Sequence, residues 1–521
     1  MADFQAKKYA LLSVSNKTGI VDLAKKLRAL GYSIISTGGT AKALTEQGIQ
    51  ITPVQEITND PESFDGRMKT ISFEIESGIL FDRSNASHVE QAKSLNIKPI
   101  DIVVCNLYPF EKTIAQKNVS LKNAVENIDV GGPTMVRSGA KNFKHVVVVV
   151  DPADYETVEN ELEQGISLAK RKELAAKAFA HLSFYDSQIA KYLQNDVFPK
   201  VITLAGRKTI DLRYGENPHQ KAAVYMYPNT SSPLASLIKR TGRDLSHVNV
   251  TDIYAGLESI RLFKTPAAVV VKHNSPCGIA LGSSAKEALA RAIEADAESA
   301  FGGIIVLNHP MDMQTASIIA SFKDEKRGNI DIVAVPSIDK AALAFLQSVR
   351  KTMGIYTFGT IPDNASDTYH TKYIDGGFIL QTPDNNIEES FNDWKIVTEK
   401  KPTKKQLEQM KIAWKFVSRI KSNTIIVMDQ KLPMTRGIGC GQTSRIRSAK
   451  IALEQAGAFC KGSILASDSF FPFDDSVILA AKSGISAIVQ QGGSINDKLS
   501  IAAADKHGIA MVFTNRREFW H

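Results

Sequence analysis

The stretch YALLSVSNKTGIVDLAKKLRALGYSIISTGGTAKALTEQG, residues 9–48, decides the class of fold. YALLSV reads as a short strand that ends in a polar turn. Ile20, Leu23, Ala24, Leu27 and Leu30 then recur at helical spacing, and Gly31 is a natural stop. YSIIST is a second strand, Gly38-Gly39 a turn, and TAKALTEQG a short helix. Strand, helix, strand, helix is the unit from which parallel sheets with covering helices are built.

Working outward, DIVVC (101–105) and HVVVVVD (145–151) supply further buried strands. Residues 152–200 read as mostly helical. The alternation restarts near residue 201, with strands near 267–271, 303–308, 332–336, 424–428, 462–466, 487–490 and 510–513. The expected organisation is α/β throughout: a parallel-sheet domain over 1–150, a helical connector over 151–200, and a second region over 201–521. The pattern in that last region is compatible with two similar α/β halves.

The chain has 521 residues, 43% hydrophobic and 23% charged, the composition of an ordinary globular protein of several domains. No apolar run approaches the ~20 residues of a membrane span. The N-terminus MADFQAKKYALLSVSNK lacks the apolar core of a secretory signal, so no export is expected. Four scattered cysteines (105, 277, 440 and 460) suit a reducing cytoplasm better than a disulfide framework. A formal charge of +8 favours anionic partners, but no Lys/Arg block marks a nucleic-acid surface. Phosphorylated or carboxylated small molecules fit that charge.

Two turns in the opening stretch carry chemistry. SVSNKTG places Ser13, Ser15, Lys17 and Thr18 between a strand and a helix, and STGGT places hydroxyls around two glycines before the next helix. Free N–H groups and the dipole at a helix start attract phosphate. The plain alternative is N-capping by Ser and Thr. Neither GxxxxGK[ST] nor GxGxxG is present, so an NTPase or dinucleotide site is not expected. Further on, AAVVVKHNSPCG (267–278) runs an apolar strand into Lys272-His273. A cation and an imidazole side by side at a strand end suit either an active site or a strand whose polar end meets solvent. For both to serve one substrate the backbone has to leave regular β geometry there, and NSPCG supplies turn residues. SPCG is half of a P-C-x-x-C zinc element, but Ala280 stands at the second cysteine, and the His88-Val-Glu90 triplet lies in the other domain. No metal site is expected.

The motifs together resemble those of the bifunctional purine-biosynthesis family, PurH, which joins AICAR formyltransferase to IMP cyclohydrolase. SVSNKTG, STGGTAKAL, GRMKT, NLYPF and ENIDVGGPTMVRSGAKN resemble its cyclohydrolase half. DLRYGENPHQ, VVKHNSPCG, ESAFGGI, KSNTI, GIGCGQTSR, ASDSFFPFDD, GGSIND and GIAMVFTNRREFWH resemble its transformylase half, in the family's order. The resemblance implies a methylglyoxal-synthase-like first domain and a transformylase region of two cytidine-deaminase-like lobes. It further implies a cytoplasmic homodimer, AICAR, formyl-AICAR and IMP as ligands, 10-formyltetrahydrofolate as co-substrate, and no nucleic acid, membrane or required metal.

For formyl transfer the resemblance implies His273 as base and Lys272 as its partner, with Asn423 beside the reacting groups. Arg213, Tyr214, Gly302, Asp331, Arg445 and Arg517 would bind substrate, and Phe470 and Asp475 would face the pterin. For ring closure it implies Lys69, Tyr108, Asp129 and Lys141 around the reacting groups. Ser15, Asn16, Lys17 and the turn Thr37, Gly38, Gly39, Thr40 would hold the phosphate, with Arg67, Thr70, Cys105, Asn106 and Gly131 completing that site.

The chain departs from the family in one place. After GRMKT the family reads roughly L-H-P-x-x-H-x-G-I-L-A-R, whereas this chain has ISFEIESGILFDR, with Ser72, Phe73 and Ser77 read in place of the two histidines and the proline. The family's LSYNN also appears as LSHVN. Two other readings follow: a transformylase whose first domain only binds nucleotide, and a basic RNA-binding protein, for which no RNA-binding motif is present.

Overall fold

The computed structural model describes residues 7–64, 67–326, 328–362 and 369–521, the side chains of 323–326 excepted. The chain divides into two compact units, Met1–Arg207 with Tyr227–Asn229, and Lys208–Met226 with Thr230–His521.

In the first unit, β1 (Lys8–Val14), β2 (Tyr32–Ser36), β3 (Thr52–Pro53), β4 (Ile100–Asn106) and β5 (Val147–Val149) form a parallel sheet in the order β3-β2-β1-β4-β5. Both faces are covered, which is why these strands read as unbroken Val/Ile/Leu runs. Leu11, Val103 and Val148 pack on one face; Leu12, Val104 and Val149 pack on the other. The helix Ile20–Ala29 buries Ile20, Leu23, Ala24 and Leu27, the spacing read in the sequence. Truncating Leu23 to Ala would cost about 2–5 kcal/mol. Residues 152–200 hold the helices Tyr155–Leu162 and Leu168–Leu193, which bury Val158, Leu174, Ala178 and Leu182 in the same cores. This segment is therefore part of the first unit's packing.

The second unit begins with the hairpin β6 (Arg207–Leu212) and β7 (Ala222–Met226). Its first large sheet contains β8 (Ile238–Thr241), β9 (Ala267–Lys272), β10 (Ser275–Leu281), β11 (Gly303–Leu307), β12 (Ile330–Val335) and β13 (Gly354–Thr357), in the order β10-β9-β11-β12-β13-β8. After the hairpin β14 (His370–Ile374) and β15 (Gly377–Gln381) come β16 (Lys395–Ile396), β17 (Ile425–Met428), β18 (Thr435–Gly439), β19 (Ile464–Ser467), β20 (Ala487–Gln490) and β21 (Ala510–Phe513). Their order is β16-β21-β20-β19-β17-β18. Read from the hairpin edge, the two sheets match: an antiparallel hairpin, then three parallel strands, then one antiparallel edge strand. The two similar halves suggested by the sequence are these two mixed α/β lobes.

The lobes join edge to edge. Ala280 of β10 bridges Met434, Leu281 N–H donates to Pro433 O at 2.8 Å, and Ile279 N–H donates to Thr435 Oγ1 at 3.1 Å. Continuing that antiparallel register brings the β9–β10 turn beside Cys440 at the end of β18. The expected turn NSPCG is shorter than the sequence suggested. Only His273 and Asn274 turn, both at positive φ (55° and 62°), while Ser275-Pro276-Cys277-Gly278 opens β10 with a bulge between Pro276 and Gly278.

Candidate active sites

In the first unit a cavity of about 590 Å³ opens at the carboxyl ends of β1, β2 and β4. It is lined by Ser15, Lys17, Thr37–Thr40, Arg67, Lys69, Thr70, Asn106, Tyr108, Asp129 and Gly131, all anticipated from the sequence. The helix Gly38–Glu46 starts at the first glycine, two residues earlier than its sequence suggests. Thr37 does not cap it, and its Oγ1 is buried with no partner among the described residues. The amides of Gly38, Gly39 and Thr40 are thus left at the helix start, where an anion satisfies them. A Cβ on Gly38 would stand 3.8 Å from Lys69 Nζ, and one on Gly39 3.5 Å from Lys17 Nζ, so both ammonium groups flank those amides.

Several expected ligand residues hold the loop instead. Asn106 accepts from Asn16 N–H at 2.8 Å and donates to Asn16 O at 3.1 Å, pinning the loop after β1. Thr40 Oγ1 accepts from Val14 N–H at 2.9 Å and donates to Val14 O at 3.0 Å. Cys105 is 2% exposed inside β4, and burial, with Asp129 nearby, pushes its thiol up.

At the other side of the cavity, burial pushes the Asp129 carboxyl up, against N–H groups from Gly132 (2.8 Å) and Tyr108 and the charge of Lys69. Tyr185, from the long helix Leu168–Leu193, accepts from Asp129 N–H at 2.7 Å. Lys69 Nζ also pairs with Glu62 at 3.0 Å. Gly132 has to be glycine: a Cβ would lie 2.6 Å from Asp129 Oδ2 and 2.8 Å from Leu107 Cδ2. Tyr108 is half exposed at the cavity lip. Lys141 is not brought here. It is the exposed last residue of the helix Gly131–Lys141, about 15 Å along the axis from the end that meets the cavity.

Aligning the departed segment on Gly78 puts Glu76, not Ser77, at the second histidine of the family pattern. Ser72 caps the helix Phe73–Leu80, and Glu76 is hydrogen-bonded to Ser138 with its carboxyl pushed up by burial. Neither residue lines the cavity.

In the second unit the β9–β10 turn presents Lys272 and His273. Lys272 Nζ donates to Phe301 O at 2.9 Å, next to Gly302, and His273 is exposed. Gly302 N–H donates to Asn329 O at 2.6 Å. Asn329 donates to Asp331 at 3.0 Å, and Asp331 pairs with Arg243 at 3.0 Å. Lys272, Gly302 and Asp331 therefore share one end of adjacent strands β9, β11 and β12. Arg213 stacks its guanidinium 5.0 Å from the Tyr214 ring centre, and its backbone N–H donates to Leu245 O at 2.9 Å.

Asp252, which the sequence reading missed, fixes the turn. It is 4% exposed on the helix His247–Ile260 and accepts from Asn274 N–H at 2.6 Å and from His273 N–H. Burial pushes its carboxyl up; the His273 and Lys421 charges oppose that. No local motif marks Asp252, because its partners lie some twenty residues further along the chain.

The second lobe brings Asn423 to the same junction. Its side chain donates to Gln442 O at 2.9 Å and accepts from Arg445 Nη2 at 2.7 Å. Arg445 is buried and also bonds Ser467 (2.9 Å) and Asp468. In this structure its guanidinium orients Asn423 rather than facing an open anion site. The C-terminal segment lies alongside: Ser422 N–H donates to Trp520 O at 3.0 Å and Glu518 N–H to Asp468 O at 3.0 Å. Arg517 stays exposed, 4.5 Å from the Phe519 ring centre. Phe470 is half-buried beside the fully buried Phe471, and Asp475 opens the helix Asp475–Lys482. Burial pushes the thiol of Cys277 up to about 12, and Cys440 is raised as well, so neither is a ready thiolate. Among the described residues no group of three or more His, Cys, Asp or Glu could hold a metal ion.

A family model described as the AICARFT/IMPCHase bienzyme matches residues 139–455, and one described as an MGS-like domain matches residues 19–134. The Bifunctional purine biosynthesis protein PurH of Thermoanaerobacter sp. (strain X514) is 46% identical over 520 residues, covering 99% of this chain and 100% of its own. The protein of the same name from Listeria monocytogenes serovar 1/2a is 46% identical over 521 residues, covering 99% and 100%. A solved structure titled "Crystal structure of ForH" overlaps 35% of this chain and 95% of its own at 34% identity, with a TM-score of 0.33.

Proposed function

Because the chain belongs to the AICARFT/IMPCHase bienzyme family, we propose that its two sites divide two successive reactions, formyl transfer in the second unit and ring closure in the first. The protein is a bifunctional AICAR transformylase and IMP cyclohydrolase. The observation that carries the assignment of sites is that the β9–β10 turn reaches the end of β18, where Ser275 bonds Cys440 and Gln442 O holds Asn423, while the phosphate cavity stands in the other unit.

Formyl transfer needs a base for the poorly nucleophilic 5-amino group of AICAR and a cation for the oxyanion formed on the formyl carbon. His273, exposed at the tip of the turn, takes the amine proton and returns it to the N10 nitrogen of the departing tetrahydrofolate. Lys272 faces the oxyanion, and Asn423, oriented by Arg445, hydrogen-bonds the reacting groups. Arg213 and Tyr214 hold the AICAR phosphate and ring. The reduced folate supplies the formyl carbon when bound. The partly open Phe470 face and the Asp475 carboxylate suit its pterin as wall and polar anchor.

Ring closure joins the carboxamide nitrogen of formyl-AICAR to the formyl carbon, and the formyl oxygen leaves as water. The Gly38–Thr40 amides with Lys17 hold the phosphate, fixing the two reacting groups of one tethered molecule. Asp129 accepts the amide proton. Lys69 and Tyr108 donate to the departing oxygen. Ser72 and Glu76, which stand at the positions of the replaced histidines, line neither the phosphate pocket nor this group, so the ring-closing residues are left in place.

No helix among the described residues is long and apolar enough to cross a membrane. We place the enzyme in the cytoplasm as a homodimer. The test of the function is incubation of the full chain with AICAR and 10-formyltetrahydrofolate. IMP as the accumulating product is expected; accumulation of formyl-AICAR with no IMP would reduce the first unit to a nucleotide-binding module.

A further inference from the structure

The first unit has a second cavity, of about 400 Å³, at the opposite end of its sheet. Where the phosphate cavity opens at the carboxyl ends of the strands, this one is built from their amino ends: Lys8 of β1, Tyr32 of β2, Asp101 of β4 and Val147 of β5. Among the described residues its basic lining is Lys7, Lys8, Arg83 and Arg171, with the His145 imidazole, against the carboxylate of Asp101 alone.

Arg83 is the unusual member. Its side chain is only 13% exposed, and it lies over the Phe81 ring with 5.1 Å to the centroid. Nη2 donates to Ile100 O at 2.7 Å, and the same nitrogen approaches Asp101 at 3.4 Å. Nε and Nη1 are buried and have no acceptor among the described residues. Burial lowers the pKa of this guanidinium, Asp101 opposes that, and the Arg171 charge adds to it. Arg171 already gives Nε to Ile166 O (3.1 Å) and Nη1 to Lys144 O, and it has no carboxylate partner among the described residues, so its positive charge is left to the cavity. His145 is taken by Asp82 at 2.9 Å. A buried guanidinium with two idle donors is costly, and walls of low dielectric focus the surplus charge into the cavity.

We propose that this cavity is a second anion site, which takes a phosphate dianion, free or as the phosphoryl group of a small monoester. The Arg83 guanidinium, whose Nε and Nη1 are buried in the wall, adds its charge at short range without touching the ligand. Lys8, whose Nζ lies over the Tyr32 ring with 5.5 Å to the centroid, and Arg171 neutralise the remaining charge. Tyr32, its hydroxyl kept protonated by burial, donates a hydrogen bond. The volume admits a ligand of phosphosugar size. This site is independent of both reactions assigned above.

Equilibrium dialysis of the full chain against radiolabelled inorganic phosphate tests it, with saturating IMP and AICAR present to fill the two reaction sites. One further phosphate per chain is expected. Lys8→Gln and Arg171→Gln, two exposed or partly exposed positions whose loss the fold tolerates, should each weaken it about tenfold. Displacement by ribose 5-phosphate at lower concentration than by phosphate supports a monoester as the ligand, and the reverse supports free phosphate. No phosphate beyond the two filled sites, or binding unchanged in both variants, overturns the proposal.

Discussion

Asp252→Ala is the most informative change in the transformylase unit, because Asp252 touches no expected substrate group yet sets the turn that carries His273. The left-handed region costs a non-glycine residue about 1–2 kcal/mol, so His273 (φ 55°) and Asn274 (φ 62°) together hold about 2–4 kcal/mol. Two charge-assisted hydrogen bonds to a carboxylate supply about 3–6 kcal/mol before desolvation. Part of that is spent on burial, since the Asp252 carboxyl is pushed above its usual range chiefly by desolvation. A net hold of about 1–3 kcal/mol on the turn remains. Asp252→Ala should therefore lower kcat for formyl transfer by about 5- to 100-fold, at about 1.4 kcal/mol per factor of ten. KM for AICAR should move much less, and IMP formation from supplied formyl-AICAR not at all. Asp252→Asn keeps one acceptor oxygen and should recover most of the rate. The assay is steady-state formyl transfer with Tm recorded for each variant. A wild-type kcat in a folded Asp252→Ala protein, or an Asn variant as slow as the Ala variant, would refute the positioning role.

His273→Ala should cost roughly 10²–10⁴-fold in formyl transfer, the usual contribution of a general base, with circular dichroism unchanged. Lys69→Ala and Tyr108→Phe should slow conversion of supplied formyl-AICAR to IMP and leave formyl transfer intact, as read by following each product separately. Glu518, 2% exposed, has its pKa raised from 4.5 to about 8 by burial and then by Asp384, although Arg516 Nε stands 2.9 Å away. The folded chain thus binds this proton more tightly than the unfolded chain, so this contribution is full below about pH 4.5 and is lost as pH rises toward 8. Denaturant midpoints measured across that window should show the slope, and Glu518→Gln should flatten it; an unchanged slope in the variant contradicts the assignment.

Periodicity made the first unit legible. Leu23, Leu27, Ile34 and Val103 sit where a parallel sheet with covering helices needs them, and each element is continuous in sequence. The second unit was harder to read where packing overrides local signals. β10 contains Pro276 and Gly278 and so reads as a turn, yet it forms the edge that meets the other lobe. β18 is not among the expected strands, because Gly437 and Gly439 break its apolar pattern; a Cβ on Gly439 would lie 2.0 Å from Ser448 O, so glycine is what lets the strand pack under its helix. The phosphate turns were visible because a helix start is a local feature. Asp252, Tyr185 and Glu62 were not, because each acts on a residue from a distant part of the chain. The orientation of Arg445 toward Asn423 and Asp468 likewise needed the fold.

The central claim is that two reactions run at two separate sites of one chain. It is tested most directly by supplying formyl-AICAR to the full-length Lys272→Ala/His273→Ala double variant. The predicted result is IMP formed at the wild-type rate by a protein that no longer formylates AICAR. Loss of IMP formation in that variant, with the fold intact and IMP still bound, would contradict the claim.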